Sequence, residues 1–170
     1  MPNWDNTELL RLLNAHYIRL PANLGVRVYS KQAQAIGNAA WEAIDFDSER
    51  WDTGITNTYE DGFWDGFVSQ QRLTAVKAGF YVMSGHIEFA SDPNGFRGIG
   101  IGFGAAPVYI ARDLRDAVAT TVTMMSISTD PYWLNEGEYV RLFVRQSSAG
   151  NLNVNSATAY SPEFGMVRIP

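Results

Sequence analysis

The acidic segment from Asp45 to Asp52 is the first stretch whose residue types could do chemistry. It reads Asp45-Phe-Asp47-Ser-Glu49-Arg-Trp-Asp52, so carboxylates recur at short spacing. Hard cations such as Ca²⁺ are bound by several carboxylate oxygens at such spacing. The segment lacks the glycine and the closing glutamate of an EF-hand loop, so the pattern favours a solvated turn over a calcium site. We predict no bound metal.

Glycine occupies every second position from Gly98 to Gly104. Dinucleotide-binding loops need a Gly-x-Gly-x-x-Gly turn that opens a helix, and this spacing does not provide one. The pattern indicates a strand whose Ile99, Ile101 and Phe103 side chains face the core. The glycines on its reverse face would let another backbone or subunit approach closely.

Groups suited to acid, base or nucleophilic catalysis are scarce. The two histidines, His16 and His86, fall in a predicted helix and a predicted strand, and no serine has an obvious His and Asp relay around it. Cysteine is absent, which removes disulfides, thiolate catalysis and zinc-thiolate sites. We therefore predict a protein that is not an enzyme, with no catalytic residue and no cofactor.

Composition indicates one folded domain of ordinary size. The chain has 170 residues, of which 46% are hydrophobic and 18% are charged. A net charge of −5 argues against nucleic acid as a partner, because phosphate binding needs a positive surface. No segment reaches membrane-spanning length, and the first residues carry no basic export signal, so we expect synthesis in the cytoplasm and no membrane insertion.

Short apolar runs separated by turn residues make up the chain from Leu24 onward. Turn chemistry is supplied by segments such as Asp92-Pro-Asn-Gly95 and Asn135-Glu-Gly137. We predict strands at Val26–Tyr29, Ala39–Ile44, Gly79–Phe89, Gly98–Phe103, Ala119–Ser128, Glu138–Gln146 and Gly165–Ile169, with weaker candidates at Gly66–Leu73 and Ala106–Ala111. Many short strands with few helices favour an all-β sandwich or barrel.

Two of these strands carry aromatic or apolar residues on both faces. In Gly79–Phe89, the residues Tyr81, Met83, Ile87 and Phe89 share one face at the two-residue period of a strand. Such a strand needs a second cover for its other face, either another element or another subunit. We expect a symmetric neighbouring subunit to supply it. The predicted interface residues from the two strands are Phe80, Val82, Tyr139 and Phe143.

The first forty residues differ from the rest. Asp5 can cap a short helix that ends before Pro21 and has one apolar side. The residues of that side are Leu9, Leu10, Leu12, Leu13 and Tyr17. The helix either packs on its own domain or serves as an arm that anchors the protein to a neighbouring one, since a helix this short is stabilised mainly by what it packs against.

A segment rich in aromatic, acidic and glycine residues runs from Thr58 to Phe67. Aromatic residues in such a loop give a large contact area at little entropic cost, which suits an exposed recognition loop. The alternative, slightly favoured, is that the rings tuck under the rim of an assembly. The residues concerned are Tyr59, Phe63, Trp64 and Phe67.

Several motifs, in the right order, resemble those of the complement globular-head and tumour necrosis factor-like jelly rolls. They comprise Phe46 with Asp52, the lead Leu73-Thr-Ala75, the core Gly79-Phe-Tyr81, the strand entry Leu134-Asn-Glu-Gly-Glu-Tyr-Val-Arg-Leu142 and the ending Ala157–Ile169. Gly85 stands where the family has an aromatic residue. The resemblance covers roughly Ala39 to Pro170 and implies a two-sheet jelly roll that forms a compact homotrimer.

Two functions fit this interpretation. We divide the chain into an N-terminal helix and arm, residues 1–38, and a jelly-roll domain, residues 39–170. The first function is a structural protein of a phage virion, a trimeric knob attached to the capsid or tail as a decoration, head-fibre or tail-tip component. The alternative is a free recognition module of the complement-head type that binds a glycan or protein on a host surface.

Overall fold

Alternating side chains along antiparallel strands build two sheets that enclose one apolar core. The structure, a computed structural model, describes residues 24–53, 62–66, 70–104, 107–118, 120–157 and 162–170. Within them lie thirteen strands: β1 Gly25–Tyr29, β2 Gln34–Ile36, β3 Trp41–Ala43, β4 Ser48–Asp52, β5 Leu73–Thr74, β6 Gly79–Phe89, β7 Phe96–Phe103, β8 Val108–Asp116, β9 Thr123–Ser128, β10 Tyr132–Leu134, β11 Tyr139–Gln146, β12 Leu152–Val154 and β13 Glu163–Arg168. The described residues include no helix, and hence none that could cross a membrane.

The larger sheet is organised around β6. Its strand order is β2-β12-β6-β13-β1-β4, and β9 and β10 also pair with β6. Residues 84–86 of β6 pair with both β13 and β9, so these two strands lie along opposite edges of β6. Strand β6 is therefore paired along both edges, and the outer face of the sheet at β6 has no second layer of the described residues over it.

The smaller sheet has the order β3-β11-β7-β8, and β5 pairs with β11. Its inner side chains, such as Ile99, Ile101 and Leu142, are buried against the larger sheet. From the larger sheet, Tyr81, Met83, Ile87 and Phe89 of β6 are buried as predicted. The rings of Phe46 and Phe164 stack in the same core with centroids 6.1 Å apart. These observations confirm an all-β, two-sheet architecture.

Gly85 lies at a close contact between the two sheets. A Cβ atom at this position would stand 2.6 Å from Cδ1 of Leu142 on the opposite sheet. Real Cβ contacts are not that short, so a larger residue would require the buried Leu142 side chain to shift. Packing therefore explains why a glycine stands where the jelly rolls that this sequence resembles have an aromatic residue.

The glycines of β7 are covered by side chains of the same chain. A Cβ atom at Gly98 would stand 2.7 Å from Leu114 and 2.8 Å from Trp41, and one at Gly100 would stand 2.7 Å from Tyr109. The sequence predicted that another backbone or subunit would approach this face. Large side chains from β3 and β8 cover Gly98 and Gly100, whereas at Gly102 the backbone of β8 approaches as predicted, with the carbonyl oxygen of Val108 2.5 Å from an ideal Cβ.

The acidic segment Asp45–Asp52 is partly a strand, since its last five residues form β4. Its carboxylates are dispersed among separate partners. Asp45 accepts a hydrogen bond from Nε2 of Gln71 at 2.7 Å, Asp47 from the backbone N–H of Lys31 at 3.0 Å, and Asp52 from the backbone N–H of Trp64 at 3.1 Å. Within the described ranges, no three acidic or histidine side chains are grouped to hold a metal ion.

Several boundaries differ from the predicted ones. Strand β6 has the predicted bounds, whereas β8 extends to Asp116 and is longer than the weak candidate suggested. Four strands, β2, β4, β10 and β12, were not predicted. Strands β1 and β2 lie within residues 1–38 and belong to the larger sheet. The predicted helix and its apolar residues lie outside the described residues.

Candidate functional site

A groove of about 560 Å³ crosses the outer face of the larger sheet. Its floor is made of small residues in register. Ser84 of β6 has Ser128 of β9 on one side and Gly165 of β13 on the other. Larger side chains flank this row on both sides, so the sheet surface is concave along it.

One wall of the groove is polar and is centred on Glu163. This side chain is buried, with 7% of its surface exposed. Its Oε1 accepts hydrogen bonds from Nε and Nη2 of Arg50 at 3.2 and 2.8 Å, and its Oε2 forms an ion pair with Arg27. The Arg50 guanidinium also lies over the Tyr29 ring, 4.2 Å from its centroid. His86, opposite Glu163 in register, completes this wall.

The ionisation of Glu163 is decided by its two arginines. Burial alone would raise the pKa of the carboxyl, but the hydrogen bonds and charges of Arg50 and Arg27 outweigh it and hold the pKa below its ordinary value. The carboxylate is therefore ionised at neutral pH with both oxygens occupied. A general base needs a pKa near the working pH and a free lone pair, so Glu163 is suited to structure and binding rather than to proton transfer.

The other wall of the groove is apolar. Val82 and Val167 are neighbours in register, and the next residue across is Gly25, which the ring of Trp51 covers at 3.1 Å from an ideal Cβ. Beyond Val82, the half-exposed ring of Phe80 meets the Trp133 ring edge to face, with centroids 5.2 Å apart. Because these side chains adjoin, they form one continuous apolar surface.

We call this surface the apolar band. Its members are Trp51, Phe80, Val82, Trp133, Val167 and Ile169. Phe80 and Trp133 are each 50% exposed, and Trp51, Val167 and Ile169 are also exposed. Scattered apolar side chains are ordinary on a protein surface, but a contiguous patch that includes several large rings marks an interaction site.

The four predicted interface residues are divided between two opposite faces. Phe80 and Val82 lie in the apolar band, as the alternation along β6 predicted. Tyr139 and Phe143 lie on the outer face of the smaller sheet, so the structure does not bring the two pairs together. Phe143 is 1% exposed and packs against Tyr109, with ring centroids 6.2 Å apart. Contrary to the prediction, this ring needs no neighbouring subunit to cover it.

The predicted recognition loop is described in part. Phe63 is fully buried in the core and meets the Tyr81 ring edge to face at 6.1 Å, so it does not present an exposed ring. Trp64 packs against the same core and donates its indole N–H to the carbonyl of Gln70 at 3.5 Å. Tyr59 and Phe67 lie outside the described residues, as do the anchoring residues Leu9, Leu10, Leu12, Leu13 and Tyr17.

Sequence reasoning missed several residues of this site. Trp133 lies on the three-residue strand β10, which begins directly after Asp130-Pro131. We interpreted that segment as a turn and predicted no strand after it. Trp51 lies on β4, inside the segment that was interpreted as a solvated turn. The apolar run Tyr132-Trp-Leu134, which lies between the turn segments Asp130-Pro131 and Asn135-Glu-Gly137, was a signal that could have revealed β10.

Comparison with known proteins identifies the fold. Murine APRIL superposes with a TM-score of 0.61 at 10% sequence identity, over 86% of this chain and 99% of its own. The globular domain of zebrafish complement 1qA does so with a TM-score of 0.58 at 12% identity, over 86% and 98%. The Eiger TNF from S. frugiperda gives 0.55 at 14% identity, over 87% and 93%. The chain has the tumour necrosis factor-like jelly-roll fold.

The resemblance found in the sequence is thus confirmed at the level of the fold. At these identities the likeness extends to the jelly roll itself and not to partners or activity. No protein-family model matches the chain, and no curated protein matches it in sequence. The function of this jelly roll must therefore be argued from its own surfaces.

Proposed function

We propose that this protein is a structural component of a phage virion, in which its jelly roll forms a homotrimeric knob. The observation that carries the proposal is the apolar band on the outer face of the larger sheet. Large exposed rings such as Phe80 and Trp133 resemble the apolar centre of a subunit interface more than a solvated surface. The band and the adjoining groove would pack against a neighbouring copy.

A threefold assembly can use surfaces on opposite sides of a subunit. In a ring of three, each subunit offers one patch to its neighbour on one side and a different patch to its neighbour on the other. The apolar band would be one of these patches. Tyr139, on the outer face of the smaller sheet, stays a proposed contact for the other patch.

Attachment to the particle is proposed to occur through the N-terminal segment. The apolar side of its predicted helix, formed by Leu9, Leu10, Leu12, Leu13 and Tyr17, would dock on a capsid or tail protein. A cysteine-free chain made in the host cytoplasm and carried out with the assembled particle fits this localisation. Assembly and binding, rather than catalysis, would be its role.

Mass spectrometry of purified virions tests the particle assignment. We expect this chain in stoichiometric copies, in a multiple of three for each particle. Deletion of Met1–Leu20 should abolish attachment while leaving a soluble, folded jelly roll. If the chain is absent from virions but the intact protein binds a glycan on an array, the alternative of a free recognition module replaces the virion role.

A further inference from the structure

The outer face of the smaller sheet carries a group of arginines, which we call the arginine face. Arg141 and Arg145 lie on β11, and Arg112 lies on β8 in the row of Phe143 and Gly100. Arg72 adjoins them from the segment before β5. Four consecutive rises of about 3.3 Å place the Cα atoms of Arg141 and Arg145 about 13 Å apart. The cations are thus spread over an extended surface rather than gathered at one point.

None of these four arginines is paired with a carboxylate in the part of the chain that the structure describes. Four other described arginines do form ion pairs: Arg27 and Arg50 with Glu163, Arg97 with Asp92, and Arg115 with Asp113. The chain as a whole is acidic, with a net charge of −5. An acidic protein that leaves several adjoining arginines unneutralised offers a local positive potential to an anionic partner.

Aromatic rings hold these guanidinium groups in place. The guanidinium carbons of Arg141 and Arg72 both lie over the Tyr139 ring, 5.3 and 5.2 Å from its centroid. Arg112 lies 5.5 Å from the Tyr109 centroid. Arg145 lies 5.1 Å from the centroid of the Phe96 ring. A guanidinium group held over a ring retains N–H groups from which a carboxylate or sulfate can accept two hydrogen bonds.

Three buried donors on this face have no hydrogen-bond partner among the described residues. They are Nε of Arg141, Nε of Arg145 and the hydroxyl of Tyr109. Burial raises the pKa of Tyr109 to about 12, although the charges of Arg112 and Arg145 oppose the shift. Buried polar atoms are nearly always paired in folded proteins, so these donors favour a small rearrangement of the arginine side chains in which an acceptor outside the chain satisfies them.

We propose that the arginine face binds an extended acidic polysaccharide that carries carboxylate groups. Its carboxylates would be held by Arg112, Arg141 and Arg145, and its sugar rings would lie on the half-buried ring of Trp41. That ring lies over Gly98 and meets Tyr109 with centroids 4.9 Å apart. The proposal does not depend on the virion role, because Arg112, Arg145 and Trp41 lie on the opposite side of the sandwich from the apolar band. They also lie along the sheet from Tyr139, the proposed second contact of the trimer, which is the first residue of β11.

Other polyanions fit the face less well. Single-stranded nucleic acid is bound through bases that stack on free aromatic rings, whereas the rings of Tyr109 and Tyr139 are already occupied by guanidinium groups. Peptides add as strands to the edge of a sheet or lay a helix in an apolar groove, and this surface is a charged sheet face. A positively charged sheet face with a half-buried indole suits a sugar polymer.

Binding of polygalacturonate to the full-length protein tests the proposal. Isothermal titration calorimetry should show binding that weakens as NaCl is raised, and neutral dextran should not bind. The double variant Arg112→Gln/Arg145→Gln should lose about tenfold or more in affinity. The control Lys77→Gln/Arg115→Gln removes the same charge from exposed positions elsewhere, and we expect its affinity to stay within about twofold of the parent.

Three results would overturn the proposal. They are no binding of polygalacturonate at low salt, an equal loss in both double variants, and tighter binding of oligo-dT or polyglutamate than of the polysaccharide. Circular dichroism and thermal unfolding check that each variant is folded. If Arg145→Gln disturbs folding, the single variant Arg112→Gln at an exposed position answers the same question and should weaken binding measurably.

Discussion

Single residues decide how closely the two sheets approach. At Gly85 the absence of a side chain lets Leu142 of the opposite sheet rest on the backbone of β6. The core around this contact contains no space for another methyl group without a shift of Leu142. The glycine that interrupts the aromatic pattern of the motif is therefore part of the packing.

The substitution Gly85→Ala should lower the free energy of unfolding by about 1–3 kcal/mol, because the new methyl group would overpack the core against Leu142. Urea unfolding followed by circular dichroism measures it. Gly150→Ala is the matched control, since a Cβ atom there would meet no heavy atom within 4 Å. Equal stability of Gly85→Ala and the parent would contradict the close approach of the sheets.

Glu163 should make stability depend on pH. Its folded-state pKa lies below the ordinary 4.5, so its ion pairs stabilise the fold fully above about pH 4.5 and lose that effect as the pH falls through the lowered pKa. The variant Glu163→Gln should be less stable by about 1–3 kcal/mol at neutral pH and should lose less stability on acidification. Thermal unfolding at a series of pH values measures both effects.

The exposed Glu136→Gln is the control for this series and should follow the parent at every pH. If Glu163→Gln shows the same loss on acidification as the parent, then the arginine pair around Glu163 does not lower its pKa in solution. The stabilising role of the polar groove wall would then be wrong.

At the scale of elements, the outer faces of the two sheets are built differently. The glycines of β7 let Trp41, Tyr109 and Leu114 lie flat on the smaller sheet, and Phe143 of β11 is buried beneath this layer. On the larger sheet, Phe80 of β6 has no such cover. Replacing a phenylalanine by aspartate should therefore unfold the chain on the outer face of the smaller sheet but leave it folded on the outer face of the larger sheet.

Phe143→Asp should unfold the chain rather than separate subunits. Loss of a buried ring costs about 3–5 kcal/mol, and a carboxylate left unpaired in its place adds to the cost. Phe80→Asp, at a half-exposed position, should retain the native β signal. Circular dichroism and a thermal melt of both variants test this contrast, and a stable, folded Phe143→Asp would contradict the burial of that ring.

Long strands could be predicted from the sequence, whereas short ones could not. In β6, eleven residues with a two-residue period fixed both the bounds and the buried face. Strands such as β10 and β12 have three residues each, which is too few for a period to appear, and they form because β6 supplies their partner. The apolar band combines residues from β4, β6, β10 and β13, so it follows from strand pairing that no local pattern encodes.

Individual site residues show the same limit. Phe80 and Val82 were predicted from alternation along one strand, but which sheet β11 would join was not, and so Phe143 was assigned to the wrong environment. The arginines of β11 alternate visibly in the sequence, yet their freedom from carboxylates depends on β7 and β8. Charge pairing across strands is a property of register, and register was not predictable here.

For the molecule as a whole, we expect the apolar band to pack against a second copy of the chain. If the apolar band is a subunit interface, a monomer leaves its large apolar rings exposed to solvent. The same surface on a stable monomer would be an aggregation hazard. The proposed virion role and the pairing of the remaining surfaces therefore both require that the protein associates with itself.

Light scattering coupled to size-exclusion chromatography measures whether the protein forms a trimer. The full-length protein should elute with three times the chain mass of 18.9 kDa, and Phe80→Asp should reduce it to a folded monomer. Leu114→Asp changes an exposed apolar residue on the opposite outer face, in the row of Arg145 and away from Tyr139, and should remain trimeric. A monodisperse monomer of the parent protein at micromolar concentration would contradict the account.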